Sequence, residues 1–208
     1  MAAKALDMNH DTYVKKQAEY PGGAEAYAAD RDKAKQLGLN TSTYTSQQQN
    51  NPNGAEGYLE DRQAAIDYGF VKKDGSVNTE TYENARKLFG NDDAAIRKSQ
   101  EFKTNGITKA FDKVPELIND NTLSNEAKGK LLVGDAKSLT GAKKDMFDMG
   151  GYEGAYYYYL IKSQADADGN GSVKKAERTA YFEGESQYLD DLWALNQDMY
   201  MYLMNNLK

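Results

Sequence analysis

The sequence predicts an all-α fold of stacked helix-loop-helix pairs. A segment that begins at Asn9 recurs from Asn40, 31 positions later, with the same Thr-Tyr, Gly-Ala-Glu-x-Tyr and Asp-Arg groups. A shorter third copy follows Asn78 and keeps the Thr-Tyr pair. Within each copy, apolar residues recur at helical spacing. Because one helix pair cannot bury its own apolar face, we expect the three degenerate repeats to stack on one another.

Each repeat has the signals of two helices. Asn, Thr and Ser precede the Thr-Tyr pair and are typical N-cap residues, and the "PGGAE" and "NPNGAE" stretches mark a turn into a second helix. A glycine near the end of each copy suits a left-handed C-cap. We therefore predict helix-pair repeats over residues 9–107 and a second helical domain, with a metal-binding unit, over residues 108–208.

The C-terminal segment predicts one amphipathic helix that begins after Ser186. Its apolar positions are Leu189, Leu192, Trp193, Leu195, Met199, Leu203 and Leu207, and Met201, Tyr202 and Met204 widen the apolar face. This face either closes the core or forms an adaptable, methionine-rich docking surface. The same alternatives apply to the tyrosine run at residues 155–162.

Composition excludes several functions. The 208 residues contain no cysteine and one histidine, His10, so thiol chemistry, disulfides and multi-histidine metal sites lack their parts. A net charge of -6 disfavours nucleic acid and anionic membranes as partners. No apolar run approaches the ~20 residues of a membrane span, and the N-terminus lacks the apolar stretch of a signal peptide. We expect a protein that is not an enzyme.

One twelve-residue stretch, "DADGNGSVKKAE" from Asp166 to Glu177, has the spacing of a calcium loop. Calcium takes six to eight oxygen ligands, and side chains at loop positions 1, 3 and 5 wind around one point. Gly171 permits the sharp turn that directs the next carbonyl inward, and the final glutamate can close the shell with two oxygens. The predicted ligands of one calcium ion are Asp166, Asp168, Asn170, Ser172 and Glu177.

These twelve residues, with helix-compatible sequence on both sides, resemble an EF-hand. Lys174 and Lys175 depart from that pattern, and their charge should weaken calcium binding. EF-hands usually pair through a short β-bridge at position 8, which is Val173 here. The bridge partner would be Leu123, in a degenerate loop at residues 116–127, or Val77, in "DGSVN"; the Leu123 loop is favoured because it is nearer in the chain.

The repeats, with "VKKDGSVNTETY" and "QADADGNGSVKKAE", resemble helical segments of bacteriophage tail tape-measure and other virion-associated proteins. The resemblance covers most of residues 9–177. It implies protein partners or self-assembly, including contacts with other virion proteins, and a location in the virion or the host cytoplasm.

Three functions compete at this point. The first is a non-enzymatic structural or interaction protein stabilised by one calcium ion. The second is a calcium sensor or adaptor that exposes its Met and Trp side chains to a partner. The third is a wall-degrading hydrolase, which would need an acid and a base in a cleft, and the many carboxylates show no such pattern.

Overall fold

The computed structural model describes residues 2–208, and these residues form an all-α fold in which an isolated bridge is the sole β-pairing. The chain divides into two compact units, the first ending at Asp67 and the second running from Tyr68 to Lys208. The division falls in the second sequence repeat, three residues before its end at Phe70. The third repeat therefore belongs to the second unit.

The first unit contains a short N-terminal helix and two helix pairs. Its helices are α1 (Ala2–Ala5), α2 (His10–Glu19), α3 (Gly23–Gln36), α4 (Thr41–Asn50) and α5 (Gly54–Asp67).

The first turns of α2 and α4 are capped in the same way. The Asn9 side chain accepts a hydrogen bond from Thr12 N at 2.7 Å, and the Asn40 side chain accepts one from Thr43 N at 2.8 Å. Such caps satisfy amide groups that have no partner within a helix. The asparagines at the start of the two sequence repeats thus both serve as helix N-caps.

The turns inside the two helix pairs also share a contact. The Gln17 side chain accepts a hydrogen bond from Ala24 N at 3.3 Å, and the Gln48 side chain accepts one from Ala55 N at 3.2 Å. Both alanines are fully buried. One side-chain amide therefore ties the first helix of each pair to the start of the second.

Tyr44, from the second Thr-Tyr pair, is a core residue. It clusters with the buried Ala34 and Ala55, and Leu37 and Leu39 pack against the cluster. Its burial supports a packing role for this repeated tyrosine.

The second unit contains eight helices among its described residues. They are α6 (Thr79–Phe89), α7 (Asp93–Thr104), α8 (Ala110–Ile118), α9 (Asn125–Val133), α10 (Ala142–Ala165), α11 (Lys175–Glu183), α12 (Gln187–Leu195) and α13 (Gln197–Asn206), with a 3₁₀ turn at Ala136–Ser138.

Helix α10 is the centre of this unit and packs against α8, α9 and α13. It is interrupted at Gly150 and Gly151, where Gly151 has a φ of 60° that suits glycine. Most of the tyrosine run after the interruption is buried. Its buried members are Ala155, Tyr156, Tyr157, Tyr159, Leu160 and Ile161.

The C-terminal segment forms two helices, so the prediction of one continuous helix is wrong. Asn196 has an extended backbone, with a φ of -161°, and its side chain accepts a hydrogen bond from Met199 N at 3.1 Å. Asparagine is one of the preferred N-cap residues, and Asn196 caps the start of a new helix here. The apolar face is divided: Leu192 and Leu203 are fully buried in the core, whereas Trp193 and Met201 are exposed.

Within residues 2–208, no helix combines the length and apolar character that crossing a membrane requires.

Candidate metal site

The predicted calcium loop, residues 166–177, joins the end of α10 to the first turn of α11. Val173 is 3% exposed and anchors the middle of the loop in the core. Glu177 lies in the first turn of α11, where the helix dipole favours a negative charge. The loop is thus fixed at both ends and at its centre.

Three carboxylates converge in this loop. Asp166, Asp168 and Glu177 each offer an oxygen, and these oxygens all lie within 4.8 Å of one another. Calcium–oxygen distances are about 2.3–2.6 Å, so oxygens on opposite sides of one ion lie about 5 Å apart. The three oxygens are therefore spaced as ligands of a single cation.

The loop backbone wraps around the first carboxylate. Asp166 accepts hydrogen bonds from Asn170 N at 3.1 Å and from Gly171 N at 2.6 Å. Gly171 has a φ of +83°, which few residues other than glycine adopt. Gly171, which was predicted to permit the sharp turn, therefore has the left-handed backbone that would strain other residues.

The two remaining predicted ligands have other contacts. The Asn170 side-chain oxygen accepts a hydrogen bond from Ser172 N at 2.9 Å, and Ser172 is exposed. If Asn170 bound an ion, its side-chain oxygen would have to contact the ion and the Ser172 N–H at the same time. Asn170 and Ser172 remain predicted ligands.

Lys174 contacts the carboxylate cluster directly, which sequence reasoning missed. Its Nζ lies 2.6 Å from Asp168 Oδ2. This hydrogen bond and the paired charges lower the pKa of Asp168 and raise the pKa of Lys174. The lysine at position 9 therefore competes with a cation for one of the three carboxylates.

Removing this competitor should strengthen calcium binding. We expect Lys174→Ser to lower the calcium Kd about three- to fivefold, the size of one surface ion pair. The measurement is calcium titration calorimetry at constant ionic strength. The matched control is Lys175→Ser, which removes a neighbouring exposed charge and should give a smaller change. Equal effects of the two variants would contradict the specific role of the Lys174 contact.

Two other loops share the second half of this geometry. Asp74 accepts a hydrogen bond from Ser76 N at 2.9 Å, and Asp120 accepts one from Thr122 N at 3.0 Å, as Asn170 does from Ser172. Hydroxyl hydrogen bonds from the same Ser and Thr lower the pKa of both aspartates. A helix begins shortly after the turn in each of the three loops: α6 begins after Asn78, α9 after Ser124 and α11 after Lys174.

The expected β-bridge at position 8 is not found among the described residues. Val77 forms an antiparallel bridge with Val71, inside its own turn, and this is the one isolated bridge within residues 2–208. Neither Val77 nor Leu123 therefore bridges Val173. The loops resemble one another locally without pairing in the way that EF-hands usually do.

Comparison with known proteins gives no relative: no family model matches the chain, and no curated protein or solved structure matches it.

Proposed function

We propose that this protein is a non-enzymatic structural module whose fold is stabilised by one calcium ion in the 166–177 loop. The observation that carries the proposal is the convergence of the Asp166, Asp168 and Glu177 carboxylates within 4.8 Å. They lie in a twelve-residue loop with glycine at the required turn. All of the predicted ligands offer oxygen, which suits a hard cation.

Calcium fits this loop better than magnesium does. Magnesium requires a near-ideal octahedron at about 2.0–2.1 Å and usually retains several waters. Calcium accepts a flexible shell of carboxylate, amide and carbonyl oxygens, including a bidentate glutamate. A loop that offers such a mixed set, with one carboxylate held by Lys174, favours calcium at modest affinity.

The related loops lack the ligands for a second ion. Phe70 and Lys72 occupy positions 1 and 3 of the loop that contains Val77, and Phe70 is buried. Ile118 and Ala127 occupy positions 3 and 12 of the loop that contains Leu123, and Ala127 is buried. Since none of these four side chains has an oxygen donor, and Lys72 adds a positive charge, we propose one ion per chain.

The ion would fix the angle between α10 and α11. The second half of α10, which leads into the loop, is largely buried. Helix α11 is tied to the C-terminal segment by Arg178, which donates a hydrogen bond to the Leu207 carbonyl at 2.9 Å. An ion bound only by the folded state adds RT ln(1 + [Ca]/Kd), about 2.7 kcal/mol at a hundredfold excess over Kd. That is a large part of a typical free energy of unfolding of ~5–15 kcal/mol.

We further propose that the protein is a structural component that binds other proteins in an assembly, and that this assembly is a bacteriophage particle. The virion setting rests only on the sequence resemblance described above. The scaffold role is supported by the capping contacts that recur in the two helix pairs of the first unit. We propose that the pairs act as a stacked scaffold. Exposed Trp193, Leu195 and Met201 offer an apolar surface to protein partners or to further copies.

A calcium sensor is the second candidate function, and the same exposed side chains favour it. Trp193 is 45% exposed and Met201 is 43% exposed. Both lie in the helices that follow α11, so a shift of α11 could change their exposure. The lone complete loop favours the structural role instead, because sensors generally use two binding loops that act together.

Thermal unfolding with and without calcium tests the proposal. We expect calcium to raise Tm relative to chelator, with magnesium much less effective at equal concentration. The fluorescence of Trp193, the one tryptophan of the chain, and the binding of a hydrophobic dye should change little. A large rise in dye binding would favour the sensor, and an unchanged Tm would overturn both calcium proposals.

A further inference from the structure

A cavity of about 770 Å³ lies among α11, α12 and α13. Three aromatic side chains, one from each helix, form part of its lining: Phe182, Trp193 and Tyr200. Trp193 is exposed and the other two residues are half-buried, so solvent reaches part of each side chain.

The Tyr200 ring is nearly perpendicular to the rings of both Phe182 and Trp193. The Tyr200 ring lies 5.4 Å from Phe182 at an interplanar angle of 77°, and 5.1 Å from Trp193 at 87°. Perpendicular rings form the walls of a corner, and a ligand in that corner can contact more than one ring face. Such faces carry partial negative charge and attract cations.

The charged residues of the cavity also favour a cation. Glu185 and Asp190 line it, and the described residues of its lining include no Lys, Arg or His. Elsewhere in the chain, Lys16 lies over the Tyr27 ring at 4.5 Å, so this protein already uses cation–π contacts within its fold. Here the acids and rings face a cavity open to an external cation.

We infer that this cavity binds an alkylammonium group. The rings would contact the methyl or methylene groups of the cation, and Glu185 and Asp190 would supply the opposite charge. The cation could come from a free quaternary amine or from a lysine side chain of a partner. The other main cavity of the second unit, about 410 Å³, has the opposite preference, because Lys103, Lys113 and Lys130 are in its lining.

NMR titration of the full chain tests this inference, with the Trp193 indole N–H as reporter. The ligands are choline, its uncharged tert-butyl isostere 3,3-dimethylbutanol, and N-acetyl-lysine methylamide, each against a sodium chloride blank. We expect choline to shift the indole signal with a millimolar Kd, and the uncharged isostere to bind at least about tenfold more weakly. Stronger binding of the lysine derivative than of choline would assign the site to a partner's side chain.

Two variants locate the binding. Phe182→Leu removes one ring, and Asp190→Asn removes one charge; each should weaken choline about threefold, the size of one exposed cation–π or ionic contact. Asp198→Asn is the matched control, because it removes an exposed acid of α13 that is not in the cavity lining. Equal binding of choline and its uncharged isostere, or no response to either cation up to 100 mM, would overturn the inference.

Discussion

Glu177→Gln should reduce calcium affinity at least about tenfold while lowering the free energy of unfolding of the calcium-free protein by no more than about 1 kcal/mol, the size of a helix-dipole contribution. The substitution removes the charge and the carboxylate that would close the proposed calcium shell with two oxygens. Glutamine can still accept the hydrogen bond that Lys174 N donates to Glu177 Oε2 at 2.8 Å, so the first turn of α11 is retained. At a calcium concentration of 100 times the wild-type Kd, the stabilisation by calcium should fall from about 2.7 to about 1.4 kcal/mol.

Calorimetry and the calcium dependence of Tm measure this effect. The matched control is Glu183→Gln, which removes one exposed negative charge from the same helix, outside the loop. It should leave the calcium Kd within about twofold of the wild-type value, since exposed charges at this distance are largely screened. A calcium response of Glu177→Gln equal to that of the wild type would show that the loop is not the binding site.

Gly129→Ala should be the most destabilising single methyl addition in the second unit. A Cβ atom at Gly129 would lie 1.8 Å from the Tyr152 carbonyl oxygen, and backbone on α10 cannot move aside as a flexible side chain can. Replacing glycine by alanine inside a helix otherwise gains up to ~1 kcal/mol. We expect a loss of about 3 kcal/mol in the free energy of unfolding, or about 6–12 °C in Tm.

Thermal and urea unfolding measure this loss, and Gly184→Ala is the control. A Cβ at Gly184 would meet its nearest atom, the Ala180 carbonyl oxygen, at 3.4 Å, so little has to move. We expect its free energy of unfolding to change by less than about 0.5 kcal/mol. A Gly129→Ala protein as stable as the control would mean that α9 and α10 are not packed as closely as this geometry requires.

Features encoded by neighbouring residues could be predicted from the sequence. The caps at Asn9 and Asn40 and the helix that starts after Ser124 follow from local hydrogen bonding, so the all-α class was predictable. The candidate site was predictable for the same reason. Its three carboxylates lie within twelve residues, and Gly171 sets the turn that brings them together.

Features that depend on distant contacts were not predictable. The apolar spacing after Ser186 continues across Asn196, and only the extended backbone at Asn196 separates α12 from α13. A glycine at position 129 signals close packing, but its partner, Tyr152, lies on another helix. Lys174 has a long side chain that can reach several nearby acids, and it contacts Asp168. The spacing of the residues in the sequence does not determine which acid it contacts.

The hydrogen bond from Arg178 to the Leu207 carbonyl has a mechanical consequence. Arg178 follows Glu177 directly, and Leu207 is fully buried one residue before Lys208. A pulling force applied at Lys208 is therefore transmitted through this hydrogen bond to α11, the helix that carries Glu177. For the proposed calcium site, we therefore expect the stability of the 166–177 loop to depend on the force applied at this end of the chain as well as on calcium concentration.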